Sequence, residues 1–320
     1  MNSKLKMEPD RADSFNFQSK LACLQTEQLS AWAKQAIIRS SQGAIPDYVP
    51  LLASANPQAF AVQIRGIGGQ FFCNGRSPTF PLMSVVKPLA LLYVLCELGE
   101  KAVFECVGCE PSELPFNSLS QLQTDGGKPR NPMINSGAIA LASLIPGKDA
   151  AARCQNLLDW LNEQASSQLF LDDLMLSSVN AVPNQNNRNI ALEMVRSGCI
   201  RDSEIALETY NRVCCLSGTV GDLALLGMLL ANRGDRATDE HCRTVKALMA
   251  TCGLYEASGR FAVRVGLPAK SGVSGAMLAV VPGEGAIACY SPPLDKQGNS
   301  VGGLFLLEQI AKTLRLSVFD

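Results

Sequence analysis

Apolar residues recur at helical spacing from Leu21 to Ile38, and Ser40-Ser41-Gln42-Gly43 ends the run, so the pattern predicts a helix over 21–38. Two short strand-like runs follow, Ala59 to Arg65 and Gln70 to Cys73. Gly66-Ile67-Gly68-Gly69 separates them, and together they read as a hairpin. Pro78 and Pro81 lead into Ser84 to Leu98, a strongly apolar segment that reads as a helix with Ser84 near its N-terminus. From Pro132 to about Ala250 the period is mainly helical. Candidate helices are Ile134 to Leu144, Ala150 to Gln164, Asn189 to Ser197, Glu204 to Cys215 and Val220 to Ala231. The tail changes character: Lys270 to Val281 and Gly285 to Tyr290 read as two strands joined by Pro282-Gly283-Glu284-Gly285, and Gly302 to Leu314 as a closing helix. The first fifteen or so residues are polar and expected to fray.

This order predicts an α/β (α+β) fold in which a sheet domain is interrupted by a helical one. Residues 21–130 and 251–320 would form the discontinuous sheet domain with helices packed on it, 131–250 an inserted all-helical domain, and 1–20 a polar N-terminal segment. A ligand cleft is expected between sheet and helical block.

Composition narrows the function classes. The 320 residues are 47% hydrophobic, enough for one large or two intimately packed domains. A formal net charge of −1 without a long basic run argues against nucleic acid or an anionic membrane surface as partner. The start has no apolar core for a signal peptide, and the longest apolar stretch, Pro88 to Cys96, is far too short to span a bilayer. Twelve cysteines without such a signal are expected to be free thiols in a reducing compartment, which places the chain in the cytoplasm. Cys106 and Cys109 have metal or redox spacing, but no second Cys-x-x-Cys accompanies them.

Two short motifs carry the candidate chemistry. In Ser84-Val85-Val86-Lys87 the serine and lysine are three apart and share a helix face, so Oγ and Nζ can meet; a neutral amine there can activate the hydroxyl. Lys270-Ser271-Gly272 completes a pairing used by serine β-lactamases and penicillin-binding proteins, although no Ser-Asp-Asn triplet accompanies the two. The single histidine, His241, sits in a charged run and reads as a solvated surface residue, which removes Ser-His-Asp chemistry. An ordinary lysine, with a pKa of about 10.4, is only roughly one part in a thousand neutral near pH 7.4. Burial, with Lys270 as a neighbouring cation, is expected to lower Lys87 and make activity rise toward alkaline pH.

From Leu21 to Phe319 the chain resembles the glutaminases, serine-dependent amidohydrolases of β-lactamase-like architecture. The resemblance rests on Asp47-Tyr48-Val49-Pro50, Ser84 to Leu89, GGKPRNPMINSGAI (126–139), Arg188-Asn189, Cys252-Gly253-Leu254-Tyr255, GLPAKSGVSG (266–275) and SPPLDKQGNSVG (291–302), all in order. It implies Ser84 as nucleophile, Lys87 as base, and Tyr255 as proton relay to the leaving ammonia. It also implies backbone N–H groups of Val273 and Ser84 for the oxyanion, and Tyr48, Asn135, Asn189 and Tyr210, with Ser84, Tyr255 and Val273, around a small amide substrate. Lys270 would support this set. No metal or organic cofactor is implied, and a homodimer or homotetramer is.

One departure matters. The family pattern has Glu a few residues before Arg-Asn, gripping the α-ammonium, and Val182 stands there instead; no Asp or Glu occurs between Asp173 and Glu193. Losing a charge-assisted hydrogen bond costs about 1.5–3 kcal/mol. The readings left open are hydrolysis of L-glutamine to L-glutamate and ammonia, hydrolysis of another small amide, and glutamine binding without turnover. Ser136 and Ala276 are smaller departures, where Ala and Gly are usual. Plainer assignments accompany these: Asn131, before Pro132, as a helix cap, Tyr93 and Tyr290 as core, and Asn184, Asn186 and Asn187 as a polar loop that could set specificity.

Overall fold

Five antiparallel strands form the main sheet of the computed structural model, which describes residues 19–76, 78–232 and 237–320. Their spatial order is Phe71–Gly75, Ala61–Gly66, Gly285–Tyr290, Ala276–Val281, Ala269–Ser271. The two hairpins from opposite ends of the chain therefore pair, with Ala61 opposite Tyr290 and Arg65 opposite Ala286. The polar start expected to fray lies outside the described residues.

The two innermost strands from the C-terminal end have no solvent face. Every residue of Ala276–Val281 and Gly285–Tyr290 is buried, so both sides of the sheet must be covered. Met277, Ala279 and Val281 meet the helices Thr26–Ser40 and Val301–Leu314, from the two ends of the described chain. Ala276, Leu278 and Val280 face the other way, into a core shared with the helices Val220–Ala231 and Lys87–Cys106. The outer strand Phe71–Gly75 alternates between exposed and half-buried positions, as an edge strand with one covered face should.

Between the hairpins, helices dominate from Asn135 to Cys252, joined to the rest by a small three-stranded sheet. There Phe80 pairs with Gly218, Ser217 with Phe170, and the Leu82 amide donates to the Leu216 carbonyl at 2.8 Å. This clasp fixes the start of the Ser84 segment to the helical region. Tyr93 and Tyr290 are core residues as expected, Tyr290 stacked on Phe80 at 4.5 Å. No helix among the described residues is long and apolar enough to cross a membrane.

The structure revises several boundaries. The helix expected over 21–38 is a 3-10 turn, Lys20–Cys23, followed by Thr26–Ser40. The break arises because the Leu21 amide and Ser19 hydroxyl both donate to Glu284 Oε2, anchoring this turn to the C-terminal hairpin. Ser84 lies in a 3-10 turn, Met83–Val86, and the α-helix starts at Lys87 and is broken at Gly99 (φ 78°). The strand expected over 270–281 is two strands, because Gly275 donates to Gly272 and Gly272 to Ala276. The helix expected from Asn189 starts at Gln185, capped by Asn184 accepting from the Asn187 amide at 3.0 Å. Helices Asp173–Asn180 and Asp239–Cys252 escaped the periodicity reading although Asp172 and Thr238 cap them.

Helix Val220–Ala231 approaches the sheet closely at Gly227. A Cβ there would lie 2.6 Å from the Ala286 Cβ and 2.7 Å from the Leu278 Cδ1. Alanine favours a helix over glycine by about 1 kcal/mol, whereas overpacking costs typically about 1–3 kcal/mol. Gly227→Ala is expected to lower stability in urea unfolding; a more stable variant would show that helix and sheet are free to separate.

Candidate active site

Ser84 is presented by a strained turn. Met83 has φ 48°, a conformation rare for a side chain without a short polar group, and the 3-10 turn carries straight into the helix that starts at Lys87. Ser84 is 6% exposed. The turn between strands Ala269–Ser271 and Ala276–Val281 lies against it: a Cβ on Gly272 would come 2.7 Å from the Leu82 carbonyl oxygen and 3.5 Å from the Ser84 nitrogen. Glycine is thus the residue that lets Val273 come so near Ser84. Among the described residues neither the Ser84 nor the Val273 amide donates to a carbonyl, so both remain available to an anionic oxygen.

Lys87 is fully buried and has no carboxylate partner among the described residues. Its Nζ donates to the Met133 carbonyl at 3.1 Å and to Asn135 Oδ1 at 3.0 Å. Burial lowers its pKa to about 8, against a smaller opposing influence from Cys214. A neutral lysine amine has two N–H groups and one lone pair, and two carbonyl oxygens accept the two hydrogens. The remaining position on nitrogen is the lone pair. Asn135, first residue of helix Asn135–Leu144, also accepts from the Tyr210 hydroxyl at 3.2 Å and donates to Asn187 Oδ1 at 3.1 Å. Asn131 does not cap this helix; its Oδ1 accepts from the Met133 amide and its Nδ2 donates to the Glu110 carbonyl, shaping the turn that presents the Met133 oxygen.

Tyr255 and Lys270 form the sheet-side half. Tyr255 is the second residue at the site in left-handed backbone (φ 56°), and its ring lies against Phe116 at 4.6 Å. Burial pushes its phenol up to about 12, while the hydroxyls of Ser84 and Ser271 pull it down. Neither serine is in hydrogen-bonding geometry, and the phenol oxygen is buried without a partner among the described residues. Lys270 Nζ sits 4.3 Å from the centre of that ring and donates to the Ser271 carbonyl at 2.8 Å. Burial, then the charge of Lys87, holds Lys270 well below an ordinary lysine. Burial thus lowers Lys87 as expected, while the second influence on it is Cys214 rather than the expected Lys270.

A cavity of about 260 Å³ opens over Ser84, lined also by Met83, Phe116, Asn117, Asn135, Asn187, Tyr210, Cys214 and Val273, with Tyr48 half-exposed on its rim. It continues into an outer chamber of about 360 Å³ that shares Tyr48, Val49, Val179, Asn184 and Asn211 and adds Val182, Pro183, Leu207 and Arg188. Of the residues expected here, Ser84, Asn135, Tyr210, Tyr48 and Val273 line the cleft, with Lys87 and Tyr255 buried beside it. Asn189 is not brought to it. That side chain is half-buried and accepts from Gln185 at 2.8 Å, whereas Asn187, two residues earlier, faces the cavity. Helical spacing explains the difference, since Asn184 and Asn187 share a face that Asn189 does not. Phe116, Asn117, Asn211 and Cys214 carried no sequence signal. His241 is half-buried against Cys96 (3.7 Å) and lies outside the cleft.

Comparison with known proteins gives one consistent result. The sequence profile of the glutaminase family matches residues 43–319. The chain is 45% identical to the glutaminase of Synechocystis sp. over 90% of its own length and 89% of the relative's. It is 38% identical to glutaminase 1 of Halalkalibacterium halodurans, over 88% and 94%. Among solved structures, the probable glutaminase YbaS superposes with a TM-score of 0.86 at 37% identity, covering 93% of this chain and all of that one. The Bacillus subtilis glutaminase YbgJ, captured as a covalent complex with 5-oxo-L-norleucine, superposes with a TM-score of 0.82 at 28% identity over 92% and 99%.

A buried amine that favours neutrality destabilises the fold while it is protonated. With Lys87 near 8 when folded and 10.5 when unfolded, the unfolded chain binds the extra proton between those values. This contribution to stability is lacking below pH 8 and is recovered as pH rises toward 10.5, amounting to about 3 kcal/mol. Lys87→Met removes it. The stability advantage of Lys87→Met over wild type is expected to be largest at pH 7 and to shrink toward pH 10 in chemical denaturation. A difference constant with pH would show that Lys87 is not depressed.

Proposed function

The chain belongs to the glutaminase family and hydrolyses the side-chain amide of glutamine, and we propose that it does so through an acyl-enzyme on Ser84. The observation that carries this reading is the engagement of Lys87: two carbonyl oxygens take its two N–H groups, leaving a lone pair for the Ser84 proton. Ser84 Oγ attacks the γ-carbonyl carbon as Lys87 accepts its proton. The oxyanion forms between the Ser84 and Val273 amides, at a helix start where backbone N–H groups favour negative charge. The unpartnered Tyr255 hydroxyl hands a proton to the departing ammonia and is resupplied from Lys87, with Lys270 fixing the ring from above. Water then enters from the cleft and the same groups run in reverse to release glutamate. The covalent complex of the Bacillus subtilis relative supports a nucleophilic route.

For the substrate, Asn135 lines the cavity with one Nδ2 hydrogen left after its bond to Asn187, while the Tyr210 hydroxyl donates to its Oδ1. Asn187 takes the place first assigned to Asn189, and Tyr48 closes the rim. The lack of a disulfide among the described residues supports a cytoplasmic location, and the family supports a homodimer or homotetramer.

Ammonia release from L-glutamine is expected to fall on the order of a thousandfold or more in kcat in Ser84→Ala. In wild type, log kcat/KM is expected to rise with pH until about 8 and then level as Lys87 loses its proton. Lys87→Arg, permanently protonated, should be inactive with no recovery at pH 9. A flat profile between about pH 6 and 9, with chemistry rate-limiting, would remove Lys87 as base.

A further inference from the structure

The cleft is almost devoid of charge. Around Ser84 every polar side chain on the lining is neutral. In the outer chamber Arg188 is the sole charged side chain among the described lining residues, and it is cationic. Free glutamine carries a carboxylate and an ammonium on its α-carbon. The carboxylate can find Arg188 and asparagine N–H groups. Among the described lining residues the ammonium meets no anionic acceptor, and the one charged side chain there, Arg188, is of like sign and disfavours it.

The outer chamber suggests what avoids that cost. Its lining is mixed, with the apolar side chains of Val49, Val179, Val182, Pro183 and Leu207 beside the amides of Asn180, Asn184, Gln185, Asn186 and Asn211, and it shares residues with the Ser84 cavity. Val182 stands where the resemblance leads one to expect a carboxylate. A substrate whose α-nitrogen is acylated presents a neutral amide N–H, which asparagine carbonyl oxygens accept, and an apolar tail that fills this chamber.

We propose that the preferred substrates are Nα-acyl-glutamines, deamidated at the side chain in the outer chamber's reach. This rests on the acyl-enzyme reading of Ser84. The reaction balances as simple hydrolysis: the γ C–N bond breaks, a C–O bond to Ser84 forms, ammonia leaves with the proton passed on from Ser84, and water releases the Nα-acyl-glutamate. The acyl group on the α-nitrogen is untouched.

The test is ammonia release from L-glutamine, Nα-acetyl-L-glutamine and Nα-butyryl-L-glutamine by the wild-type protein, compared as kcat/KM. The acylated substrates are expected to be better by about tenfold or more, mainly through KM, the scale of a lost charge-assisted contact. Val182→Glu should reverse the order, lowering KM for glutamine and raising it for the acylated pair. Glutamine turned over as well as, or better than, both acyl derivatives overturns the inference and leaves the amidase intact. Ammonia from none of the three overturns the acyl-enzyme reading itself, and the inference with it. The wild-type comparison decides even if the variant does not fold.

Discussion

Two lysine amines buried without a carboxylate partner among the described residues are the constraint on which the rest of the molecule depends. Lys87 and Lys270 are among the most enclosed side chains in the protein, and carbonyl oxygens are their hydrogen-bond partners. Burial makes the loss of a proton easier for both, and holds their pKa values below the ordinary lysine range. Everything that keeps water from them is therefore part of the chemistry: the sheet on one side, the helical block on the other, and the apolar helix that begins at Lys87. The three-stranded clasp between Phe80, Ser217 and Phe170 holds those halves together where the amines lie.

Two of the four non-glycine residues in left-handed backbone among those described lie at the same junction. Met83 and Tyr255 both adopt left-handed backbone, one preceding the nucleophile and the other at the proton relay. Each conformation costs on the order of 1–3 kcal/mol and persists when surrounding packing leaves no alternative. Here the packing is specific: Gly272 against the Leu82 carbonyl, and Phe116 against the Tyr255 ring. The stability that the core supplies is partly spent on holding a serine, a phenol and two amide N–H groups at one cleft.

Much of this was legible in the sequence, for physical reasons that also mark where legibility ended. Continuous apolar runs at 276–281 and 285–290 forced a two-sided burial, and a period of 3.6 located the helices against them. Ser84, Lys87, Tyr255 and Lys270 stood out because their motifs are local. Four residues cannot distinguish a 3-10 turn from the first turn of an α-helix, so Ser84 was expected inside a helix that in fact begins at Lys87. The break after Leu24 depends on Glu284, more than 250 residues away, and no local pattern could encode it. Asn187 and Asn189 differ only in which face of a helix they occupy, and that face was set by a cap at Asn184 that moved the helix start four residues earlier. Lys270 was expected to lower Lys87 as a neighbouring cation, whereas burial, which no local motif encodes, is the leading influence on both amines.

The uncharged lining of the cleft and the lowered pKa of Lys87 are one property rather than two. A carboxylate stabilises protonated lysine at a distance: with an effective dielectric constant of about 20, an anion 8 Å away contributes roughly 2 kcal/mol, which raises a lysine pKa by about 1.5. Added to a value near 8, that would leave only a small share of Lys87 able to accept a proton at neutral pH. A lining of asparagines solvates a polar substrate through dipoles whose influence falls away faster than that of a charge, and leaves the amine depressed. An acidic residue in the Val182 chamber would thus strengthen the hold on an α-ammonium and, in the same stroke, weaken the base, unless the ammonium itself cancels the charge once bound. In the free protein no such cancellation exists. The chain avoids the conflict by keeping anions out of the cleft, and selection among amides then falls to shape and neutral hydrogen bonds.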